Sequence, residues 1–190
     1  MRLAVFCSGY GSNFQALADA VRRRKLRAEI VLLVSDNPAS FAVRRAVRAG
    51  IPVCLISPKL FESRAEWERL IVRVLRSQGV DLVVLAGFMR ILTPYFIGAY
   101  RGKIVNIHPS YLPAFKGAHA IRDAFEAGVR ETGVTVHHVT NELDSGAVIL
   151  QKKVKVRRGD TLASLEKRIH AVEHRLYPAA IRKLLSKRAR

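Results

Sequence analysis

Leu3-Ala4-Val5-Phe6-Cys7-Ser8-Gly9-Tyr10-Gly11-Ser12-Asn13 decides how this chain folds. Residues 3–7 are apolar throughout and read as a buried strand. Ser8-Gly9-Tyr10-Gly11 breaks it, and Ser12 or Asn13 can cap a helix carrying Phe14, Leu17, Ala18 and Val21 at helical spacing. The alternation continues outward, with strands expected over 30–34, 53–56, 82–85 and 104–107 and helices over 41–49 and 63–77. Trp67, Leu70, Ile71, Val74 and Leu75 share one side of the second of these helices. Apolar strands joined by helices imply a mostly parallel sheet covered on both faces, the doubly wound α/β class. Such sheets bind ligands at the carboxyl ends of their strands.

Beyond residue 130 the pattern becomes strand (133–139), loop (141–146) and strand (147–156). A final helix is expected from about residue 160, with Leu162, Leu165, Ile169, Val172 and Leu176 as its apolar stripe. Pro178 is expected to kink or restart it before Ile181, Leu184 and Leu185. Without an internal repeat, low-complexity segment or linker, residues 1–190 read as one domain.

The chain has 190 residues, 49% hydrophobic and 25% charged, which excludes a disordered tail protein. Its formal charge of +18 invites a nucleic-acid reading. The excess, however, is +6 over residues 1–50, +2 over 51–100, zero over 101–150 and +10 over 151–190. The basic runs Arg22-Arg23-Arg24-Lys25 and Lys187-Arg188-Ala189-Arg190 lack interleaved aromatics and read as solvated helix faces. No nucleic-acid partner is expected. No apolar run approaches the ~20 residues that span a bilayer, and residues 3–7 are too short for a signal-peptide core. Cys7 and Cys54 have neither pairing nor metal spacing, which suits a reducing cytoplasm.

Four segments carry chemistry. Gly9 to Asn13 offers backbone N–H groups at a helix N-terminus, a phosphate cradle or an ordinary Gly-rich turn. Phe14 stands where a dinucleotide fingerprint needs its third glycine, which argues against NAD or FAD. In Asn106-Ile107-His108-Pro109-Ser110, strand periodicity points Asn106 and His108 the same way, and Pro109 ends the strand at the sheet's carboxyl edge. An amide and an imidazole together there suit a developing oxyanion. In Asn141-Glu142-Leu143-Asp144-Ser145-Gly146, a carboxylate can reach such a histidine, although Asp-Ser-Gly is also plain turn chemistry. Gly87-Phe88-Met89-Arg90-Ile91-Leu92-Thr93-Pro94 either lines a cleft for a flat ligand or packs under a neighbouring helix. His170-Ala171-Val172-Glu173-His174 matches the H-x-x-E-H zinc pattern, but no Asp, Glu or His follows to complete a ligand set, and no metal is expected.

Taken in order, these segments resemble the folate-dependent phosphoribosylglycinamide formyltransferase (glycinamide ribonucleotide transformylase) family. The resemblance rests on residues 7–13, Leu85 to Leu92, Asn106 to Ser110, Leu112-Pro113-Ala114-Phe115, Glu142 to Gly146 and Glu173-His174 with Tyr177-Pro178, and spans residues 2 to about 185. It implies a Rossmann-like formyltransferase fold and a cytoplasmic enzyme of purine biosynthesis, a monomer or homodimer. Its substrates would be the small molecules 10-formyltetrahydrofolate and glycinamide ribonucleotide. Residues 1–100 would form the phosphate-binding half, and 101–190 the catalytic and folate-binding half. By matched position, Gly11, Ser12 and Asn13 would hold the substrate phosphate, with His170 and Glu173 on the ribonucleotide. Met89, Arg90, Ile91, Leu92, Thr140, Asn141, Glu142, Leu143, Asp144 and Asn106 would line the folate site, and Arg64 would face the glutamate tail. Asn106, His108 and Asp144 would be the catalytic trio, Asp144 favouring the charged form of His108. His170 departs from some relatives, which carry glutamine there.

Three other readings share parts of this pattern. A formyltetrahydrofolate deformylase is expected to carry an extra domain before the first strand and a histidine at the position of Pro109. A methionyl-tRNA formyltransferase is expected to carry a C-terminal β-barrel and to lack the Gly11-Ser12-Asn13 loop. A basic nucleic-acid-binding α/β module would account for the charge but not for the trio.

Overall fold

The computed structural model describes the backbone of residues 1–188 and the side chains of residues 1–186. Ala189, Arg190 and the side chains of Lys187 and Arg188, part of the second basic run, lie outside the described residues. Strands β1 (Arg2–Phe6), β2 (Glu29–Ser35), β3 (Val53–Leu55), β4 (Leu82–Leu85), β5 (Ile104–His108), β6 (Glu131–His138) and β7 (Val148–Lys155) follow the order β3-β2-β1-β4-β5-β6-β7. The pairs β1–β2, β1–β4 and β2–β3 are parallel and β6–β7 is antiparallel, so the mostly parallel α/β expectation holds. The chain divides into two compact units, Met1–Val105 and Asn106–Arg190.

In the first unit, Leu3, Ala4, Val5 and Phe6 of β1 are fully buried, as a strand paired on both sides and covered on both faces requires. Its helices are α1 (Ser12–Arg22), α2 (Phe41–Arg48), α3 (Arg64–Ser77) and the short α4 (Pro94–Ala99). The sequence pattern missed α4 because six residues cannot show a period; Pro94 at its first turn is the local signal. At α3 the Ser63 hydroxyl accepts from the Glu66 amide (3.2 Å), the S-x-x-E capping arrangement. The same helix buries Trp67, whose indole donates to the Ile56 carbonyl (3.0 Å). Arg22 to Lys25 are exposed around the C-terminus of α1, where positive charge suits the helix dipole.

The cap of α1 differs from expectation. Gly11, not Ser12 or Asn13, is the N-cap, at φ 73° and ψ 31°, with no side chain closing the turn. A Cβ at Gly11 would lie 2.6 Å from the Ala42 Cβ, so glycine is required by both backbone and space.

The second unit adds α5 (Ala120–Glu126), also missed, and α6 (Leu162–Arg188). Helix α6 continues through Pro178 as one helix and does not restart there. Tyr177 on one side of the proline and Ala180 and Ile181 on the other are fully buried. That packing outweighs the roughly 3 kcal/mol that a proline costs a helix interior. The buried line is Leu165, Ile169, Glu173, Tyr177 and Ile181, a strict i+4 series that includes a carboxylate, whereas Val172 and Leu176 are only half-buried. Among the described residues, no helix is long and apolar enough to cross a membrane.

Candidate active site

Strand β5 ends on His108, and alternation puts Asn106 and His108 on one face of it. The structure brings His108 to Asp144, and Asn106 to a residue the sequence reading overlooked, His137 on β6, which itself lies beside Asp144. His108 Nδ1 lies 3.4 Å from Asp144 Oδ2, and His137 Nε2 lies 3.6 Å from Asp144 Oδ1. The Asn106 side-chain amide is 3.4 Å from His137 Nε2. His108, His137 and the Asp144 side chain are all buried.

Main-chain carbonyls fix the protons on both imidazoles. His108 Nε2 donates to the carbonyl of Phe115 (2.8 Å), and His137 Nδ1 donates to the carbonyl of His138 (2.9 Å). A carbonyl oxygen only accepts, so each of these nitrogens carries hydrogen. The remaining nitrogens, His108 Nδ1 and His137 Nε2, face the carboxylate and the amide. In neutral His137, Nε2 accepts the Asn106 N–H; in the protonated ring, Nε2–H donates to Asp144 instead.

Asp144 sits at φ 49°, a left-handed conformation that Asp tolerates better than most residues. Its Oδ2 also accepts from the Gly117 amide (3.0 Å). Burial pushes its carboxyl up, but hydrogen bonds from His137 and Gly117 and the nearby histidine charges outweigh that, and its pKa lies below the ordinary value. The Thr135 hydroxyl donates to the Ser110 carbonyl (2.7 Å) and accepts from the Leu112 amide (3.1 Å) and Gln151 (3.0 Å). That network fixes the turn directly after His108. Between Val136 and His137 the ladder slips by one residue: Val136 faces Leu150, His137 faces Val148, and Ile149 is the extra residue of a bulge. Bulges re-aim side chains, and this one sits beside the carboxylate. The Ile149 carbonyl accepts from Lys183 Nζ of α6 (2.8 Å).

The rest of loop 140–146 is open. Thr140, Asn141, Glu142 and Leu143 are exposed, and Gly146 packs so tightly on the His138 carbonyl that a Cβ would lie 1.7 Å from it. On α6, His170 Nδ1 donates to the buried Glu173 (2.8 Å). That bond raises the His170 pKa above its ordinary value, against desolvation.

In the first unit, the loop before α1 has its carbonyls tied back. Ser8 O accepts from the Asn37 side chain (3.2 Å), Gly9 O from the Ser40 hydroxyl (2.7 Å) and Ala42 amide (3.2 Å), Tyr10 O from Arg45 Nε (3.0 Å) and Gly11 O from the Gln15 amide (3.0 Å). In a trans peptide the N–H opposes the C=O, so the amides are aimed to the other side of the loop. Those of Gly9 and Gly11 meet the Cys7 sulfur, whose pKa burial nevertheless raises. Ser12 and Asn13 then open a helix turn that no side chain caps, a site suited to an anion.

Loop 87–93 packs in part against α3 and in part stands exposed. Phe88 packs edge-on against Phe6 (5.2 Å) and stacks on Trp67 (6.3 Å), and Leu92 is buried, while Met89 and Ile91 are 72% and 67% exposed. Its anchors are polar. Ser8 Oγ accepts from the Met89 amide (3.0 Å), and buried Asp36 pairs with Arg90 Nε (2.7 Å). Fully buried Glu68 accepts from the Thr93 amide (2.9 Å) and hydroxyl, with Arg64 Nε 3.8 Å away.

Residues 1–181 match the formyl transferase family model. Over 184 residues the chain is 44% identical to phosphoribosylglycinamide formyltransferase of Bacillus subtilis, covering 97% of this chain and 94% of that one. It is 46% identical over 185 residues to the human trifunctional purine biosynthetic protein adenosine-3, covering 97% of this chain, which spans only 18% of that protein's length. The crystal structure of glycinamide ribonucleotide transformylase 1 from Geobacillus kaustophilus superposes with a TM-score of 0.95 at 50% identity, over 97% of this chain and 98% of that one.

Proposed function

The chain belongs to the formyl transferase family, and from that membership we propose that it moves the formyl group of 10-formyltetrahydrofolate onto the amine of glycinamide ribonucleotide. The observation that carries this reading is the convergence of Asn106, His108 and Asp144, two hydrogen-bond donors and a carboxylate, with both histidines fixed by main-chain carbonyls. The neutral amine is already a nucleophile, so no covalent enzyme intermediate is needed. Its nitrogen attacks the formyl carbon, a C–N bond forms, and the carbonyl electron pair moves onto oxygen. The Asn106 amide and the imidazolium of His108, through Nδ1–H, donate to that oxyanion. Collapse breaks the bond to folate N10. The proton lost by the attacking amine goes to N10, with Asp144 as the relaying base through water. Much of the rate comes from holding two substrates together.

Gly11, Ser12 and Asn13 would take the ribonucleotide phosphate on the uncapped turn of α1. Exposed Met89 and Ile91, with Arg90 and Leu92, would receive the folate ring system, and Arg64 the anionic tail. A purine-pathway role suits a cytoplasmic enzyme. Incubation with 10-formyltetrahydrofolate with and without glycinamide ribonucleotide tests the reading. Formylated ribonucleotide is expected only with the acceptor, and rapid formate release without it would indicate a deformylase instead.

A further inference from the structure

Helix α2 lies against the outside of the loop that leads into α1, and it holds that loop by three kinds of contact. The Ser40 hydroxyl, at the N-cap position of α2, donates to the Gly9 carbonyl instead of capping its own helix. Ala42 donates its amide to the same carbonyl and leaves no room for a Cβ at Gly11. Arg45, one helical turn further on, donates Nε to the Tyr10 carbonyl (3.0 Å) and Nη1 to Gln15 Oε1 (3.3 Å). Its guanidinium lies 4.6 Å from the Tyr10 ring centroid and 4.8 Å from that of Phe41, and those two rings stack 5.1 Å apart. A planar cation held by two rings and two acceptors has little rotational freedom left.

The Tyr10 carbonyl belongs to the peptide unit whose other end is the Gly11 amide. Pulling that oxygen toward Arg45 holds the Gly11 N–H on the Cys7 sulfur and so starts α1, with its Ser12 and Asn13 amides, from a fixed orientation. The bond to Gln15 ties the same guanidinium to the first turn of α1 itself. We propose that Arg45 is a positioning residue for the anion cradle at Gly11-Ser12-Asn13, fixing the Tyr10–Gly11 peptide from behind without touching the ligand. The proposal rests on the phosphate-binding reading of that loop.

Two variants separate orientation from charge. Arg45→Lys keeps the cation but has no Nε–H and no fork to span Tyr10 O and Gln15 Oε1, whereas Arg45→Gln removes the cation as well. Losing a charge-assisted hydrogen bond corresponds to about tenfold in affinity. We therefore expect both variants to raise KM for glycinamide ribonucleotide by about that factor, with kcat and the KM for the formyl donor within about twofold. Full recovery in Arg45→Lys would mean that only the charge matters and would overturn the proposal. So would a fall in kcat at unchanged KM.

Inorganic phosphate provides a readout that does not depend on the reaction. Its binding, followed by amide shifts at Gly11 to Asn13, is expected to weaken in both variants. If wild type binds phosphate there but does not turn over the ribonucleotide, the proposed reaction fails and Arg45 is still judged by phosphate affinity. Equal phosphate affinity in wild type and both variants would refute the positioning role.

Discussion

The carbonyl of Phe115, itself at φ 54°, takes the Nε2 proton of His108 at 2.8 Å. A backbone group thus decides which nitrogen of the imidazole faces the chemistry. Nδ1 alone is left for Asp144 and for an oxyanion, and the ring cannot present Nε2 without breaking that bond. Replacing either proposed oxyanion donor, by Asn106→Ala or His108→Ala, is expected to lower kcat on the order of 10²–10³ with little change in melting temperature. Near-normal turnover in either variant, by a stopped assay of formylated product, would remove that residue from the mechanism.

His137 is expected to act through Asn106. In the neutral ring its Nε2 accepts the amide hydrogen that fixes which way the Asn106 side chain is turned. Losing one neutral hydrogen bond of this kind corresponds to about fivefold to tenfold, and His137→Ala should lower kcat by that factor while KM for both substrates stays put. If kcat is unchanged, the orientation of Asn106 has another cause.

Stability should fall on the acid side partly through Asp144. Its folded pKa lies below the ordinary carboxylate value because the bonds from His137 and Gly117 outweigh burial. The stabilisation is therefore present above the unfolded pKa and lost as pH falls through the folded one. Urea midpoints measured from neutral pH into that acid range should drop more steeply in wild type than in Asp144→Asn. Parallel curves would contradict the shift.

His170 works in the opposite direction. Glu173 raises its pKa, so its contribution is fully present below the unfolded imidazole value and disappears as pH rises through the folded one. His170→Gln should flatten the melting temperature across that window. Identical pH profiles for the two proteins would show that the pair adds nothing to stability.

Glycine requirements differ sharply between neighbours. Gly11→Ala meets both a left-handed φ, worth roughly 1–2 kcal/mol, and a 2.6 Å approach to Ala42 Cβ, so its total cost should exceed that figure. A Cβ at Gly9, two residues earlier, would meet nothing within 4 Å. Chemical denaturation of Gly9→Ala and Gly11→Ala should separate the two clearly, and equal losses would argue against the close-packing account.

The core of the fold was legible because strands such as Leu82–Leu85, and helices such as Arg64–Ser77 with Ser63 before it, carry pattern and cap together. Asn106 and His108 were legible for the same reason, since two-residue periodicity alone assigns them one face. His137 was not. It lies in a strand whose buried residues Thr132 to His137 show no alternation, and the bulge that aims it depends on pairing with a strand eleven residues later. Its one local signal is a histidine flanked by another on a strand that follows an Asn-x-His. Glu173 was recognised through resemblance, whereas its i+4 spacing from Ile169 and Tyr177 would have placed it on the buried face. Pro178 does not end α6 because a local rule about backbone donors is outweighed by side chains packed on both sides of it.

Lys183 gives α6 a second meaning. Its ammonium holds the carbonyl of Ile149, the extra residue of the bulge opposite His137. A helix that looks like a cover for the sheet therefore reaches, by one lysine tip, into the geometry of a histidine forty-six positions earlier in the chain. Altering this stretch of α6 for solubility or for fusion to another protein is then also an edit to the proposed catalytic centre.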